Sequence, residues 1–365
     1  MNKPDMILVA NSPGELSALV KPVAEELAKK GSFRVILVLT PCQYTSGKEI
    51  EFSRSIPGIA EIVSAAEYKK WAIFNQKPKR LTFSTKGAVL FLGGDLSHAI
   101  IIARKLKYPA FAYLNERIAW KKAYREFFVA DQLSFHKFSR QVSAVKLKVT
   151  GNLMVDSVRE LPKWAPEENV LTFMPGSRKW EIDYMTPFYK KVMELIRKTS
   201  REIKFQVVSS PFVKAHPIDG AKMVEFEKIH NSELVVTIPG TNTAKIAARG
   251  IPLVVVFPLN NPEVIPMDGL AEIIGNIPIM GKAFKKAAAN LINNKTKYFA
   301  LPNQKAGRMI APEIRGQIEP LTVALKILLL LHDREEREKM SRQLIESMGK
   351  AGAARMIVEE ISAAI

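Results

Sequence analysis

Val170-Leu171-Thr172-Phe173-Met174-Pro175-Gly176-Ser177-Arg178-Lys179-Trp180-Glu181-Ile182 decides the fold, because it reads as a buried strand that breaks and turns into a helix. The first five residues are apolar and rich in strand formers, Pro175-Gly176 interrupts them, and a helix is predicted from Ile182 to Lys198. Ser177 is placed to cap the amides that follow, with Glu181 near enough to reinforce the first turn. Amides left free at a helix start carry partial positive charge, and Arg178 and Lys179 add full charges beside them. The turn is therefore predicted to take a diphosphate without a metal. By itself Pro-Gly-Ser is also an ordinary turn beside two solvated basic residues, so the rest of the chain has to decide.

Outward from this stretch the same alternation recurs. Met6 to Ala10 reads as a first parallel strand ending in the loop Asn11-Ser12-Pro13-Gly14, with a helix from Glu15 to Lys30 stopped by Gly31 and a second strand from Arg34 to Thr40. The loop is too poor in glycine for a dinucleotide fingerprint, which disfavours a Rossmann dehydrogenase. Gly87 to Leu92 ends in Gly93-Gly94-Asp95 before a helix through Ile100 to Lys105, and Pro109 to Leu114 is the next strand. After Val170 to Met174 come Lys204 to Ser209, then Leu234 to Ile238 ending at Pro239-Gly240-Thr241, a helix from Asn242 to Arg249, and the apolar strand Ile251 to Pro258. Pro and charge interrupt the pattern from Pro162 to Glu168, which predicts two α/β domains, 1–164 and 165–365, the second closing with a helical region from Asp333 to Ile365. Open α/β sheets bind ligands at the C-terminal ends of their strands, where every turn singled out above lies. Two such sheets facing each other across a cleft make a two-domain transferase.

Composition narrows the partners. With 365 residues, 47% hydrophobic and 25% charged, the chain is long enough for two ordinary cores and is not disordered in character. The net charge of +18 points to an anionic partner: nucleic acid, an acidic membrane surface or a phosphorylated substrate. The single cysteine, Cys42, excludes an intrachain disulfide and fits a reducing compartment. Met6 to Ala10 is too short for a signal peptide, and Ile327 to Leu331 is too short to span a bilayer. A cytoplasmic protein is expected, visiting a membrane at most.

Several of these pieces resemble one family, the lipid-A-disaccharide synthases, which are inverting glycosyltransferases with two Rossmann-like domains (GT-B). Gly151-Asn152-Leu153-Met154-Val155-Asp156 is similar to the family's Gly-His/Asn-x-x-x-Asp, and Met174 to Glu181 to its Leu-Pro-Gly-Ser-Arg-x-x-Glu. Gly240-Thr241 precedes a helix and a Gly-x-Pro-x-Val-Val strand as in the family. The most specific match is Leu301-Pro302-Asn303-Gln304-Lys305-Ala306-Gly307-Arg308, followed by Pro312-Glu313 and Pro320, which follows the family's Leu-Pro-Asn-x-x-Ala-Gly-Arg. The resemblance implies transfer of an acylated glucosamine from UDP to an acylated glucosamine 1-phosphate at the inner face of a membrane. It also implies an acceptor-binding first domain, a second domain for the UDP-sugar donor, and no metal or other cofactor. Carried over by position, Arg178 meets the UDP phosphates beside Gly176, Ser177, Gly240 and Thr241. Asn303 and Arg308 surround the diphosphate and donor sugar, and Asp95 matches the family's candidate catalytic acidic residue. Two departures stand out. The first loop reads Ser12-Pro13-Gly14-Glu15-Leu16-Ser17 where the family has Gly-Glu-Thr/Ala-Ser-Gly-Asp, which leaves the acceptor open. Lys245 stands where the family carries a ribose-binding glutamate, and a lysine cannot accept hydroxyl hydrogens.

Inverting transfer needs a base for the acceptor hydroxyl and stabilisation of the departing diphosphate. Asp95 behind two glycines is the first candidate base, with Glu15 and His98 as the others. Each also has a structural reading: Asp95 as the cap of the helix at Leu96, Glu15 as a first-turn carboxylate on its own helix dipole, His98 as a residue inside an apolar helix. No Asp-x-Asp occurs, and five His with one Cys make a zinc centre improbable. Basic residues thicken through Lys69, Lys70, Lys77, Lys79, Arg80, Arg104, Lys105, Lys107, Lys121, Lys122 and Arg125, interleaved with Trp71, Phe74 and Trp120. This suits an anionic bilayer surface, though charge runs also arise as solvated helix faces. No nucleic-acid motif is visible. Two other readings share the fold: a UDP-N-acetylglucosamine 2-epimerase, and a non-catalytic protein that binds anionic lipid or nucleic acid. Oligomeric state is not legible.

Overall fold

Asp5–Ala10 (β1) and Gly87–Phe91 (β4) are buried at every position, as apolar runs require when both faces of a parallel sheet are covered, and the one charged residue among them, Asp5, is paired with Arg34 at 2.8 Å. In the computed structural model, which describes residues 3–42, 47–115, 117–213, 216–261, 287, 291 and 293–365, these two strands are the centre of the first sheet. Arg34–Leu39 (β2), Ile59–Val63 (β3), Ala110–Leu114 (β5), Glu126–Val129 (β6) and Leu147–Val149 (β7) complete it in the order β3-β2-β1-β4-β5-β6-β7, all parallel. Val170–Met174 (β8), Lys204–Val208 (β9), Ala221–Val224 (β10), Leu234–Thr237 (β11), Leu253–Pro258 (β12) and Glu313–Gly316 (β13) form the second, in the order β10-β9-β8-β11-β12-β13, also parallel. Strand order reverses between β1 and β4 in one sheet and between β8 and β11 in the other. Those reversals are the switch points at which doubly wound sheets bind ligands.

The helix expected over Glu15 to Lys30 begins earlier and is not uniform. A turn at Pro13–Glu15 passes into a π turn at Leu16–Val20 and then the α-helix Lys21–Lys30, which ends at Gly31 with φ +65°. Pro22 cannot donate to the carbonyl four residues back and its ring crowds that carbonyl, so a wider turn ahead of it relieves the clash. The helix expected from Ile182 runs over Lys179–Thr199, with Arg178 and not Ser177 as its N-cap. The segment expected through Ile100 to Lys105 is the helix Leu96–Leu106.

The domain limits differ from 1–164 and 165–365. One compact unit comprises Met1–Arg159 with Gly349–Ile365, the other Glu160–Met348. The last helix, Ala353–Ala363, joins the first unit because the Asp156 carboxylate accepts the Gly352 and Ala354 amides, both at 2.6 Å. Buried Ile357, Val358 and Ile361 line its inner face, and Lys30 Nζ donates to Ser362 Oγ at 2.8 Å. The motif Gly151 to Asp156 thus ties the chain's end to the first sheet. The stretch around Pro162 belongs to the second unit. Fully buried Arg249 donates to the carbonyls of Pro162, Phe226 and Glu227 at 2.8–3.0 Å, and Trp164 Nε1 donates to Ser232 O. Burial lowers the Arg249 pKa to about 10, still far above neutrality.

Candidate functional site

In the first unit the loops after β1 and β4 meet on one carboxylate. Glu15 Oε2 accepts the amides of Asn11 and Ser12 at 3.0 and 3.1 Å, and Oε1 accepts the Gly94 amide at 3.1 Å. Burial raises the Glu15 pKa against the opposing pull of those amides. A carboxylate committed to three backbone donors is a brace between two loops, which corrects its expected role as a base in the reaction. The glycines make room for it: a Cβ on Gly93 would fall inside the Glu15 carboxyl group, and Gly94 has φ +89°, which L side chains rarely adopt. Thr40, at the end of β2, has a buried Oγ1 with no hydrogen-bond partner among the described residues.

Asp95 follows as the N-cap of Leu96–Leu106, accepting the Ser97 amide at 2.9 Å, and Arg117 NH2 lies 3.5 Å from its other oxygen. Hydrogen bonding from Ser97 and the Arg117 charge hold its pKa below the usual aspartate range. The structure shows the capping reading of Asp95, and the residue stands exposed at the switch point. His98, one turn on, has Nδ1 2.7 Å from the Tyr68 hydroxyl, the rings edge to face. Burial lowers the His98 pKa, and Asp95 pulls the other way. Tyr68 was not foreseen; it lies on Ala65–Phe74, and only the sheet topology brings that helix beside Leu96–Leu106.

In the second unit Glu181 repeats the Glu15 device. Its Oε2 accepts the Ser177 and Arg178 amides at 2.8 and 3.0 Å, and its Oε1 takes Arg178 NH1 at 2.9 Å. The amides expected to be free for phosphate are therefore satisfied by the chain itself, while the same carboxylate orients the Arg178 guanidinium. Gly176 has φ +128° and a Cβ there would fall 3.0 Å from Ile238 Cδ1, which brings the loop after β8 against the end of β11. Gly240 caps Thr241–Ala248 with φ +138° and nothing within 4 Å of its missing Cβ. Thr243 Oγ1 donates to Gly240 O at 2.8 Å and accepts the Leu301 amide at 3.2 Å, so the Leu301 to Arg308 motif starts beside Gly240-Thr241. No sequence signal marked Thr243.

Asn303 is placed differently from the expectation. It is fully buried and uses its whole hydrogen-bonding capacity inside the protein: Nδ2 donates to Ala311 O and Glu313 Oε1, and Oδ1 accepts the Ile310 and Ala311 amides. Glu313 in turn accepts the Phe299 and Ala300 amides. Asn303 holds the loop that follows Leu301–Ala306, while Glu313 holds the loop ahead of it, and Asn303 has no polar atom left for a sugar. Arg308 is exposed and donates to Gln343 at 3.1 Å. Lys245 extends over the Phe226 ring, its ammonium 4.5 Å from the centroid.

The basic first half is also redistributed. Trp71 is buried and stacks on Phe83 at 5.1 Å, so it is a core residue and not a membrane anchor. Ile73 and Phe74, 70% and 68% exposed, end the same helix beside exposed Lys69, Lys70, Lys77 and Lys79. Arg80 instead turns to Glu67 and to the Ile62 carbonyl. Among the described residues no helix is long and apolar enough to cross a membrane.

No protein-family model matches the chain. Curated relatives named lipid-A-disaccharide synthase are similar to it. That of Syntrophus aciditrophicus is 23% identical over 285 residues, 69% of this chain and 68% of the relative. That of Nitrosococcus oceani is 28% identical over 203 residues, 52% and 46% of the two chains, and that of Helicobacter pylori 23% identical over 351 residues, 87% and 89%. Among solved structures, the UDP-GlcNAc 2-epimerase of Neisseria meningitidis bound to UDP-GlcNAc superposes with a TM-score of 0.59 at 13% identity, covering 98% of this chain and all of that one. MurG of Acinetobacter baumannii gives 0.52 at 13% identity, with 99% of each chain covered. With the two parallel sheets, these likenesses give the GT-B fold.

Proposed function

We propose that the chain is a divergent member of the lipid-A-disaccharide synthase family and an inverting glycosyltransferase that moves an acylated glucosamine from UDP to a lipid-linked glucosamine 1-phosphate or a similar acceptor. The observation that carries the reading is the position of the motifs shared with the family. Pro175 to Arg178 and Gly240-Thr241 end the two strands that flank the second switch point, with Leu301 to Arg308 joined to them through Thr243. On this reading the second unit takes the UDP-sugar. Arg178, fixed by Glu181, and Arg308 meet the diphosphate, and the helix start at Gly240-Thr241 adds its dipole. These groups do the work without a metal.

The first unit takes the acceptor at the loops braced by Glu15. A hydroxyl presented to the group around Asp95 and His98 loses its proton as its oxygen bonds to the anomeric carbon from the face opposite the diphosphate. The bond from that carbon to the phosphate oxygen breaks, and UDP departs. The substrates are acylated, and Ile73 and Phe74 among lysines suit peripheral attachment to the anionic inner face of the cytoplasmic membrane. Release of UDP that depends on added lipid acceptor tests the reading. An epimerase would transform the UDP-sugar with no acceptor present, and a binding protein would do neither.

A further inference from the structure

We propose that His98, oriented by Tyr68, is the group that takes the proton from the acceptor hydroxyl, with Asp95 acting as the fixed negative charge beside it. The inference rests on the glycosyl-transfer reading and deepens it.

Three side chains at the first switch point have the chemistry of a base, and the structure commits two of them elsewhere. Glu15 is taken up by three backbone amides from two loops. Asp95 has one oxygen on the Ser97 amide and the other facing Arg117, and both contacts stabilise its anion and weaken it as a base. His98 remains. Its ring is held edge to face against Tyr68, centroids 5.2 Å apart, with Nδ1 2.7 Å from the hydroxyl oxygen, and its side chain makes no other hydrogen bond among the described residues.

We take the tautomer in which Nδ1–H faces the Tyr68 oxygen, which leaves the lone pair on Nε2, an atom with no hydrogen bond among the described residues. The titratable and charged groups facing the imidazole are Tyr68 from Ala65–Phe74 and Asp95 from the end of β4, with Arg117 beyond Asp95. Burial pushes the imidazole toward its neutral form and pushes Tyr68 up to about 12, so the pair meets substrate as neutral imidazole and neutral phenol. In the step, Nε2 takes the hydroxyl proton and the oxygen's electron pair forms the new bond to the anomeric carbon. The electron pair of the old bond leaves with the diphosphate. The imidazolium is stabilised by the Tyr68 oxygen and Asp95 until it gives the proton to water.

The test is the pH dependence of kcat/KM for UDP release, with UDP-linked donor and lipid acceptor, in the parent, His98→Gln, Tyr68→Phe and Asp95→Asn. The parent should lose activity in acid with a midpoint below the ordinary histidine value of about 6.5. His98→Gln should lower kcat by roughly 10²–10⁴-fold and abolish that acid limb, with the thermal midpoint and UDP affinity unchanged. Tyr68→Phe should keep the limb at a lower kcat. Asp95→Asn should keep it as well, moved to lower pH because the charge that favours imidazolium is gone. An acid limb and rate that survive His98→Gln in an active protein overturn this proposal alone, as does a limb abolished by Asp95→Asn and kept in His98→Gln. A parent that releases no UDP with any lipid acceptor overturns the transfer reading and this proposal with it.

Discussion

The carboxyl carbon of Glu15 lies 1.9 Å from the point where a side chain on Gly93 would begin. The two residues are consecutive neither in sequence nor in element, and their contact locks the loop after β1 to the loop after β4 at the switch point. Gly93→Ala must therefore expel the carboxylate from its three amides. Each buried donor left without a partner costs about 1–3 kcal/mol. Thermal denaturation should show both Gly93→Ala and Glu15→Ala destabilised. The double variant should be little worse than either, because both remove the same brace. Additive losses would mean that the contact is not the reason for the glycine.

Asn303→Ala should read as a stability defect. It strands the Ile310 and Ala311 amides, the Ala311 carbonyl and part of Glu313 in the interior, so several kcal/mol should disappear from the unfolding free energy. Denaturant titration measures this directly. A variant of parental stability with weakened UDP binding would return Asn303 to the role of a ligand contact.

Arg178→Ala should weaken UDP binding by roughly 1.5–3 kcal/mol, the worth of a hydrogen bond to a charged group, measured by calorimetry. Glu181 holds Arg178 NH1 at 2.9 Å, so Glu181→Gln should also weaken binding, by less, through a looser guanidinium. Unchanged affinity in Arg178→Ala would remove the diphosphate from this loop.

Attachment to anionic vesicles should depend on Ile73 and Phe74 together with Lys69, Lys70, Lys77 and Lys79. Two apolar side chains entering the headgroup region gain about 1.5–3 kcal/mol each if fully buried, and each lysine adds about 1 kcal/mol. Co-sedimentation with phosphatidylglycerol vesicles should fall in Ile73→Ser/Phe74→Ser and in the four-lysine variant. It should also fall in 1 M salt, where the screening length is about 3 Å. Arg80 is left out because it is engaged with Glu67. Equal binding to neutral vesicles would refute the surface.

The sequence made the strands legible where both sheet faces are covered, since β1, β4, β8 and β12 are near-continuous apolar runs. The edge strands β3, β7, β10 and β13 alternate or carry charge, because one side lacks a neighbour, and they do not stand out. Pro-Gly and Gly-Gly located the loops at both switch points, because chain breakers at strand ends are a local signal. What was not legible depends on distant partners. Glu15 looks like any first-turn carboxylate until Gly94, which lies 79 positions on, donates to it. Asn303 looks like a ligand contact until Glu313 and Ala311 take its amide. Trp71 looks like an anchor until Phe83 covers it. The return of Ala353–Ala363 to the first unit hangs on Asp156, nearly two hundred residues earlier.

The most direct measurement of the central claim is product stoichiometry with purified protein, UDP-linked acylated glucosamine and acylated glucosamine 1-phosphate. Free UDP and organic-phase disaccharide are quantified in the same reaction. One disaccharide with an inverted anomeric centre is expected for each UDP released, and no UDP when the acceptor is omitted. Conversion of the UDP-sugar at an equal rate without acceptor, or no turnover at all while UDP binds, would contradict the claim.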